Sequence, residues 1–368
     1  MSSFRFLVSF SAFKGSLTNQ EACEIAASAL REKGHSATCL PLGDGGKGTF
    51  AFLQNDPQVE KRISLVHGAF GNEVKACSYW KKSGDKWQIF LESAEVCGYP
   101  VEEPEKRDAL GASSAGLGEW LLAIQQELGN DSCELFIGLG DSAISDAGIG
   151  MLGVLGFEFF DKHRLRLRPM TTALDKIASW VHPPVFWDKW KITVLCDVKN
   201  PLCGKEGSAR VFSPQKGANQ DQVLRIEDGH LNFAKWIHKY LKVDIAKKPR
   251  SGSAGGLAAA LHVFLGGELV SGSEFMLQAS GFESLLREND YLLVGEGKSD
   301  SQTLSGKAPW AAIEVAEKLG KKSVLISGEL GEGAEKIRAK GLISKVACGR
   351  EPEPSLALRN AVLEVAPS

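Results

Sequence analysis

Both ends of the chain alternate short apolar runs with amphipathic stretches of helical period. Residues 4–10 are mainly apolar and β-prone. Ala22, Ile25, Ala26 and Leu30 then recur on one face of a 3.6-residue period. Thr18-Asn19-Gln20-Glu21 has the spacing of a capping box at the start of that helix, and Gly34 supplies a stop. A second apolar run, about 37–42, completes strand, helix, strand, which predicts parallel pairing. The C-terminal part repeats this order. Tyr291–Val294 reads as a buried strand and 295–306 as a loop. Pro309 suits a first helical position, and Ile313, Ala316 and Leu319 share a face. Gly320 ends the helix and Ser323–Ile326 is the next strand. The middle predicts strands near 61–66, 77–80, 87–92, 135–137 and 192–195. Helices are expected at 117–128 and at 253–265, which is rich in Ala and Leu. There is no repeat of fixed period.

Composition narrows the class. At roughly 100–200 residues per domain, 368 residues suggest two or three domains. Lys plus Arg (43) nearly balances Asp plus Glu (45), which argues against a general nucleic-acid binder but leaves room for a local basic pocket. The eight cysteines form no Cys-x-x-Cys pair, so a zinc site of the usual spacing is not expected; they read as reduced thiols. No signal-peptide pattern and no apolar run of about 18 residues occurs, so a cytoplasmic protein without a membrane partner is expected. The skewed number is glycine, 40 residues against a usual share of about 7 %. More than half of them fall in a few short stretches.

Those stretches are where chemistry is expected. Gly43-Asp44-Gly45-Gly46-Lys47-Gly48 fits G-x-G-x-x-G after a strand, yet lacks the acid about 20 residues on that a dinucleotide site needs. It reads as a tight turn or as amides over an anion. Gly138-Leu139-Gly140-Asp141-Ser142, continuing to Asp146 and Gly150, crowds small residues and hydroxyls where a helix starts, which suits a phosphate. Asp197 ends an apolar strand, the usual place for a catalytic or metal-binding acid, and Arg210 and Lys216 follow. Gly252-Ser253-Ala254-Gly255-Gly256 opens a helix and offers either amides or close packing. Gly295-Glu296-Gly297-Lys298-Ser299-Asp300-Ser301-Gln302-Thr303, with Gly306 and Lys307, lies beyond a strand's carboxyl end.

In this order, with Phe13-Lys14-Gly15-Ser16-Leu17, Pro214-Gln215-Lys216-Gly217-Ala218 and Cys196 to Leu202, the stretches resemble the type 1 glycerate kinase family over residues 13–307. The resemblance implies phosphorylation of D-glycerate, with ATP and Mg²⁺ as cofactors, at the 2-hydroxyl in the bacterial branch. It implies an α/β fold of two domains. A flavodoxin- or Rossmann-like parallel-sheet domain would be built from 1–63 plus 290–368, and a second α/β domain, 64–289, would be inserted. The sequence departs from the family at Ser11 (family Asp), Lys47 (Glu), Asp141 (Gly) and Ser145 (Asn).

Phosphoryl transfer needs positioning and charge neutralisation. Asp197 and Asp300 are the expected Mg²⁺ ligands or base, with Asp44 a second candidate base. Lys14, Lys216 and Lys298 would hold phosphate or the substrate carboxylate. Gly45, Gly46, Gly138, Gly140, Ser142, Gly255 and Gly256 would line the nucleotide. A homo-oligomer is compatible with the sequence. The rival readings are a dinucleotide-dependent oxidoreductase, resting on 43–48, and a catalytically impaired ligand-binding paralogue, resting on Ser11 and Lys47.

Overall fold

The computed structural model describes residues 3–13, 15–54, 56–99, 104–184, 187–301, 303–349 and 353–367. Lys14, one of the expected site residues, lies outside them. Among the described residues the strands begin with β1 (Arg5–Phe10) and β2 (Ser36–Cys39). Then come β3 (Val59–His67), β4 (Glu73–Ser83), β5 (Lys86–Glu92) and β6 (Cys133–Leu139). Short β7 (Glu158–Phe160), β8 (Arg166–Leu167) and β9 (Ser179–Val181) follow. The last are β10 (Trp190–Cys196), β11 (Glu268–Ser271), β12 (Tyr291–Ser299), β13 (Lys322–Leu330) and β14 (Leu342–Ala347). The chain forms two compact units, one of residues 1–44, 48–52 and 272–368, the other of 45–47 and 53–271.

The first unit holds a five-stranded sheet in the order β14-β13-β12-β1-β2, with every neighbouring pair parallel. Numbered within the unit this is 2-1-3-4-5, the flavodoxin-like order. Both faces are covered, so its strands are apolar on successive residues rather than on alternate ones. Phe6, Val8 and Phe10 pack with Ala22, Ala26 and Leu30 of the helix Asn19–Glu32 and with Leu358 and Val362. Leu7 and Leu292 pack on the other side with Phe282, Ala308 and Ala312. The expected capping box is present: Thr18 Oγ1 accepts from Glu21 N at 3.2 Å, and Thr18 N donates to Glu21 Oε2 at 2.8 Å.

In the second unit β11-β10-β6-β5 run parallel and β4 and β3 extend the sheet antiparallel. Trp80, Trp120, Ile137, Val194 and Leu261 share its core. The 22-residue helix Gln220–Leu241, absent from the sequence reading, is capped by an Asn219–Gln222 box. The expected helix at 253–265 is α-helical only from Leu257. Before it, Ala254 (φ 50°) and Gly255 (φ 65°) turn left-handed.

Candidate functional site

In the second unit, four of the glycine-bearing stretches converge at the carboxyl ends of β6 and β10. Gly45 O accepts from Gly140 N at 2.9 Å. A Cβ on Gly45 would lie 2.6 Å from Leu195 O, and one on Gly140 would lie 2.3 Å from Gly46 Cα. Gly138 faces Gly45 as closely, at 2.6 Å from its carbonyl oxygen. These glycines bring backbone against backbone, which no side chain would permit. The loops 197–201 and 250–253 are bonded in parallel fashion, Arg250 N to Lys199 O and Gly252 N to Asn200 O. Asp197 stands at the start of this pair, half-buried just past β10. Asp141, at φ 54°, accepts from Lys47 N at 3.1 Å.

The turn after β6 is almost wholly buried and is anchored by Asp146, which is fully inaccessible. Its Oδ2 accepts from Ser114 N and Ser114 Oγ, both at 2.8 Å, and from Gly150 N at 3.2 Å, and its Oδ1 accepts from Gly148 N at 3.0 Å. Burial raises its pKa and these bonds oppose the rise. The neighbouring cation is different. Lys216, 3 % exposed, leaves a 3-10 turn at Pro214–Lys216. Its Nζ donates to Ile144 O at 2.6 Å and to Ser142 Oγ at 3.4 Å. Both acceptors are neutral. Burial pulls its pKa down to about 8, against the more distant pull of Asp197, Asp146 and Cys97. A desolvated ammonium held by neutral oxygens retains charge for an incoming anion. Gly255 fits under the same carbonyl: its Cβ would lie 2.0 Å from Ile144 O. Gly256, also left-handed (φ 88°), faces Ala147.

In the first unit the chain order reverses between β1 and β12, where open parallel sheets bind ligands at strand carboxyl ends. Buried Glu296 gathers the polar groups there. Ser299 Oγ and Thr303 Oγ1 donate to its Oε1 at 2.9 and 2.7 Å, Lys307 Nζ reaches Oε2 at 3.3 Å, and Ser327 Oγ lies 2.6 Å from Ser299 Oγ. Burial raises the carboxyl pKa, opposed first by Lys307 and then by the hydroxyls. Asp300 N donates to Thr303 Oγ1 at 3.1 Å, which fixes the turn carrying Asp300. Lys298 is paired with Glu329 at 3.0 Å on the surface. The hydroxyls of Ser9 and Ser11, at the end of β1, are buried without a hydrogen-bond partner among the described residues. Asp44, half-buried, belongs to this unit. Asn19 Nδ2 secures the flanks of its turn through Leu42 O and Gly48 O, both at 3.0 Å.

The sequence reading did not single out Glu296, Thr303, Lys307 or Asp146 individually, although each lies inside a stretch it marked. It missed His230 entirely. The available signal was a histidine on the apolar stripe Val223, Ile226, His230, Phe233 and Ile237. Among the described residues no group of three or more His, Cys, Asp or Glu is gathered as a metal cage, and no helix is long and apolar enough to cross a membrane. Magnesium commonly takes only one or two carboxylates and completes its shell with water and phosphate, so Asp197 and Asp300, single acids at strand ends, fit that mode.

These features define an open parallel-sheet α/β protein that presents a buried cation and acids at its strand ends. The family model described as the Glycerate kinase family matches residues 6–364. A glycerate 2-kinase of Escherichia coli K12 is 33 % identical over 344 residues, covering 92 % of this chain and 88 % of that protein. A glycerate kinase of Halalkalibacterium halodurans is 32 % identical over 336 residues, covering 90 % and 87 %. A crystal structure from Salmonella typhimurium LT2, provisionally named glycerate kinase 2, superposes with a TM-score of 0.76 at 29 % identity, covering 99 % of this chain and 96 % of that one. The chain belongs to the glycerate kinase family, and it is a phosphotransferase. The oxidoreductase reading fails on local structure as well: the turn at 43–48 leads to a 3-10 turn at Ala51–Leu53, not to the α-helix that a dinucleotide fingerprint opens.

Proposed function

We propose that the chain transfers the terminal phosphoryl group of ATP to the 2-hydroxyl of D-glycerate, giving 2-phosphoglycerate and ADP. The single observation that carries this reading beyond family membership is the buried Lys216 ammonium on neutral acceptors. Such a group is suited to meet a phosphate or carboxylate as charge develops in transfer. Asp197 in the second unit and Asp300 in the first are, each by itself, candidates for the acid that would hold Mg²⁺, whose chemistry is to neutralise phosphate charge. One of them, or Asp44, takes the hydroxyl proton as the oxygen attacks phosphorus and the bond to ADP breaks. Lys14 and Lys298 serve as further phosphate or carboxylate contacts. The test is ADP release with D-glycerate, ATP and Mg²⁺, followed by ³¹P NMR of the product. A 2-phosphate is expected. A 3-phosphate overturns the regiochemistry, and no ADP release overturns the activity. ATP binding without turnover would support the impaired-paralogue reading raised by Ser11 and Lys47.

A further inference from the structure

Adjacent carbonyls of one buried turn point to two different partners. Ile144 O receives the Lys216 ammonium. Ser145 O lies 3.0 Å from His230 Nε2. No regular element holds this turn in shape, and it contains a left-handed residue at Ala147 (φ 49°) before Gly148 (φ 77°). Asp146 fixes its amide side through Gly148 N and Gly150 N. Further along, Ile149 N donates to Asp146 O at 3.0 Å, and at Ser145, next to the Lys216 acceptor, the carbonyl is met by His230, midway along the capped helix Gln220–Leu241. We propose that His230 is a positioning residue: its Nε2–H, donated to Ser145 O, sets the turn so that Ile144 O faces Lys216.

The ring suits that task. His230 is fully buried, and burial pulls its pKa down to about 4. It is therefore neutral at physiological pH and remains a donor from Nε2 without adding positive charge beside Lys216. The charged or titratable groups around the pair are Lys216 on the 3-10 turn, Asp146 after β6, Asp197 after β10, Cys97 after β5 and Glu227 on the same helix. One turn earlier on that helix, Glu227 Oε1 accepts from Gly204 N at 2.8 Å, so the helix is tied to the unit beside His230.

The inference rests on the reading that Lys216 serves phosphoryl transfer, and its test separates the two. His230→Leu removes the donor at similar bulk, and His230→Gln keeps a donor that reaches Ser145 O. Acetylation of Lys216 by acetic anhydride, mapped by mass spectrometry, reads the link without any reaction. In His230→Leu, Lys216 should acetylate about fivefold faster or more as the turn drifts. Its kcat should fall about tenfold or more with KM for glycerate within about threefold. His230→Gln should restore both. Wild-type labelling and kcat in His230→Leu overturn the proposal. So does a His230→Gln enzyme that melts like wild type yet behaves like His230→Leu, because the ring would then act by packing alone. If His230→Leu does not fold, His230→Asn, whose amide falls short of the carbonyl, takes its place. Equal labelling of the Asn and Gln variants overturns the proposal. If wild-type enzyme phosphorylates no glycerate, the functional reading fails while the labelling comparison still decides the positioning role.

Discussion

Gly255→Ala puts the packing account of the glycine-rich turns at risk. Two costs are readable from the structure. Gly255 sits at φ 65°, where an L side chain costs roughly 1–2 kcal/mol. The new methyl would stand 2.0 Å from Ile144 O and 2.7 Å from Ser145 Cα, all backbone. To reach even a tight contact the carbonyl must retreat by about 1 Å, an overpacking cost of about 1–3 kcal/mol. Together the loss is about 2–5 kcal/mol, and in a unit of this size it should lower Tm by on the order of 5–15 °C. The same retreat breaks the 2.6 Å Lys216–Ile144 bond, and a misplacement of about 1 Å at a reacting centre costs about 10²-fold in turnover. Thermal unfolding and a coupled ADP-release assay read the two effects. Unchanged Tm and kcat with a tenfold or larger rise in KM for ATP would refute the reasoning, because Gly255 would then serve as an amide cradle for the nucleotide and not as a spacer under Ile144.

The other predictions use the charges. Lys216 titrates near 8 in the fold against 10.5 in the unfolded chain, so between those values the unfolded state binds more protons and stability rises with pH. Urea unfolding of wild type should gain up to about 3 kcal/mol across this window from that group. Lys216→Met should lack the gain, and an identical slope in both proteins would show that the ammonium is not desolvated. Wild-type kcat should decline above pH about 8 as the charge is lost. Asp197→Asn and Asp300→Asn should each lower kcat by about 10²-fold or more with native melting; near-normal turnover in both removes them from the site. Thr303→Val strips one donor from buried Glu296 and should cost about 1–3 kcal/mol in thermal unfolding; an unchanged Tm would mean that water already serves that carboxylate.

The sequence carried the fold well wherever structure is local. The Thr18–Glu21 box, the βα units at the two ends and the strands near 61–66 and 87–92 follow from spacing and β-propensity, and each is present. The helix after Gly252 begins four residues later than the sequence pattern predicts, because Ala and Gly in a left-handed turn look like Ala and Gly opening a helix. The stretches that matter were also legible; the division of labour within them was not. Gly45, Gly138 and Gly140 read as a possible anion cradle, but the close approach of strands β6 and β10 to the turn is a long-range fact that no local pattern encodes. Glu296 and His230 escaped for the same reason. A carboxylate beside hydroxyls and a histidine on an apolar stripe look ordinary until distant residues supply a lysine or a carbonyl.

The central pairing of the flavodoxin-like sheet has a consequence for how the chain is made. Phe6 lies in register with Tyr291, so β1 must wait for β12 through almost three hundred residues of synthesis. At ribosomal rates of about 5–20 residues per second this is roughly 15–60 s. The second unit, continuous from 53 to 271 apart from its three-residue contribution at 45–47, is complete on the ribosome before that wait ends. Strand β1 can meet its local partner β2 early, but the edge that will take β12 stays open throughout, the kind of exposed strand edge that invites aggregation. The helix Asn19–Glu32, capped by its own residues and packed on β1 through Ala22, Ala26 and Leu30, is the local cover available to it during that interval.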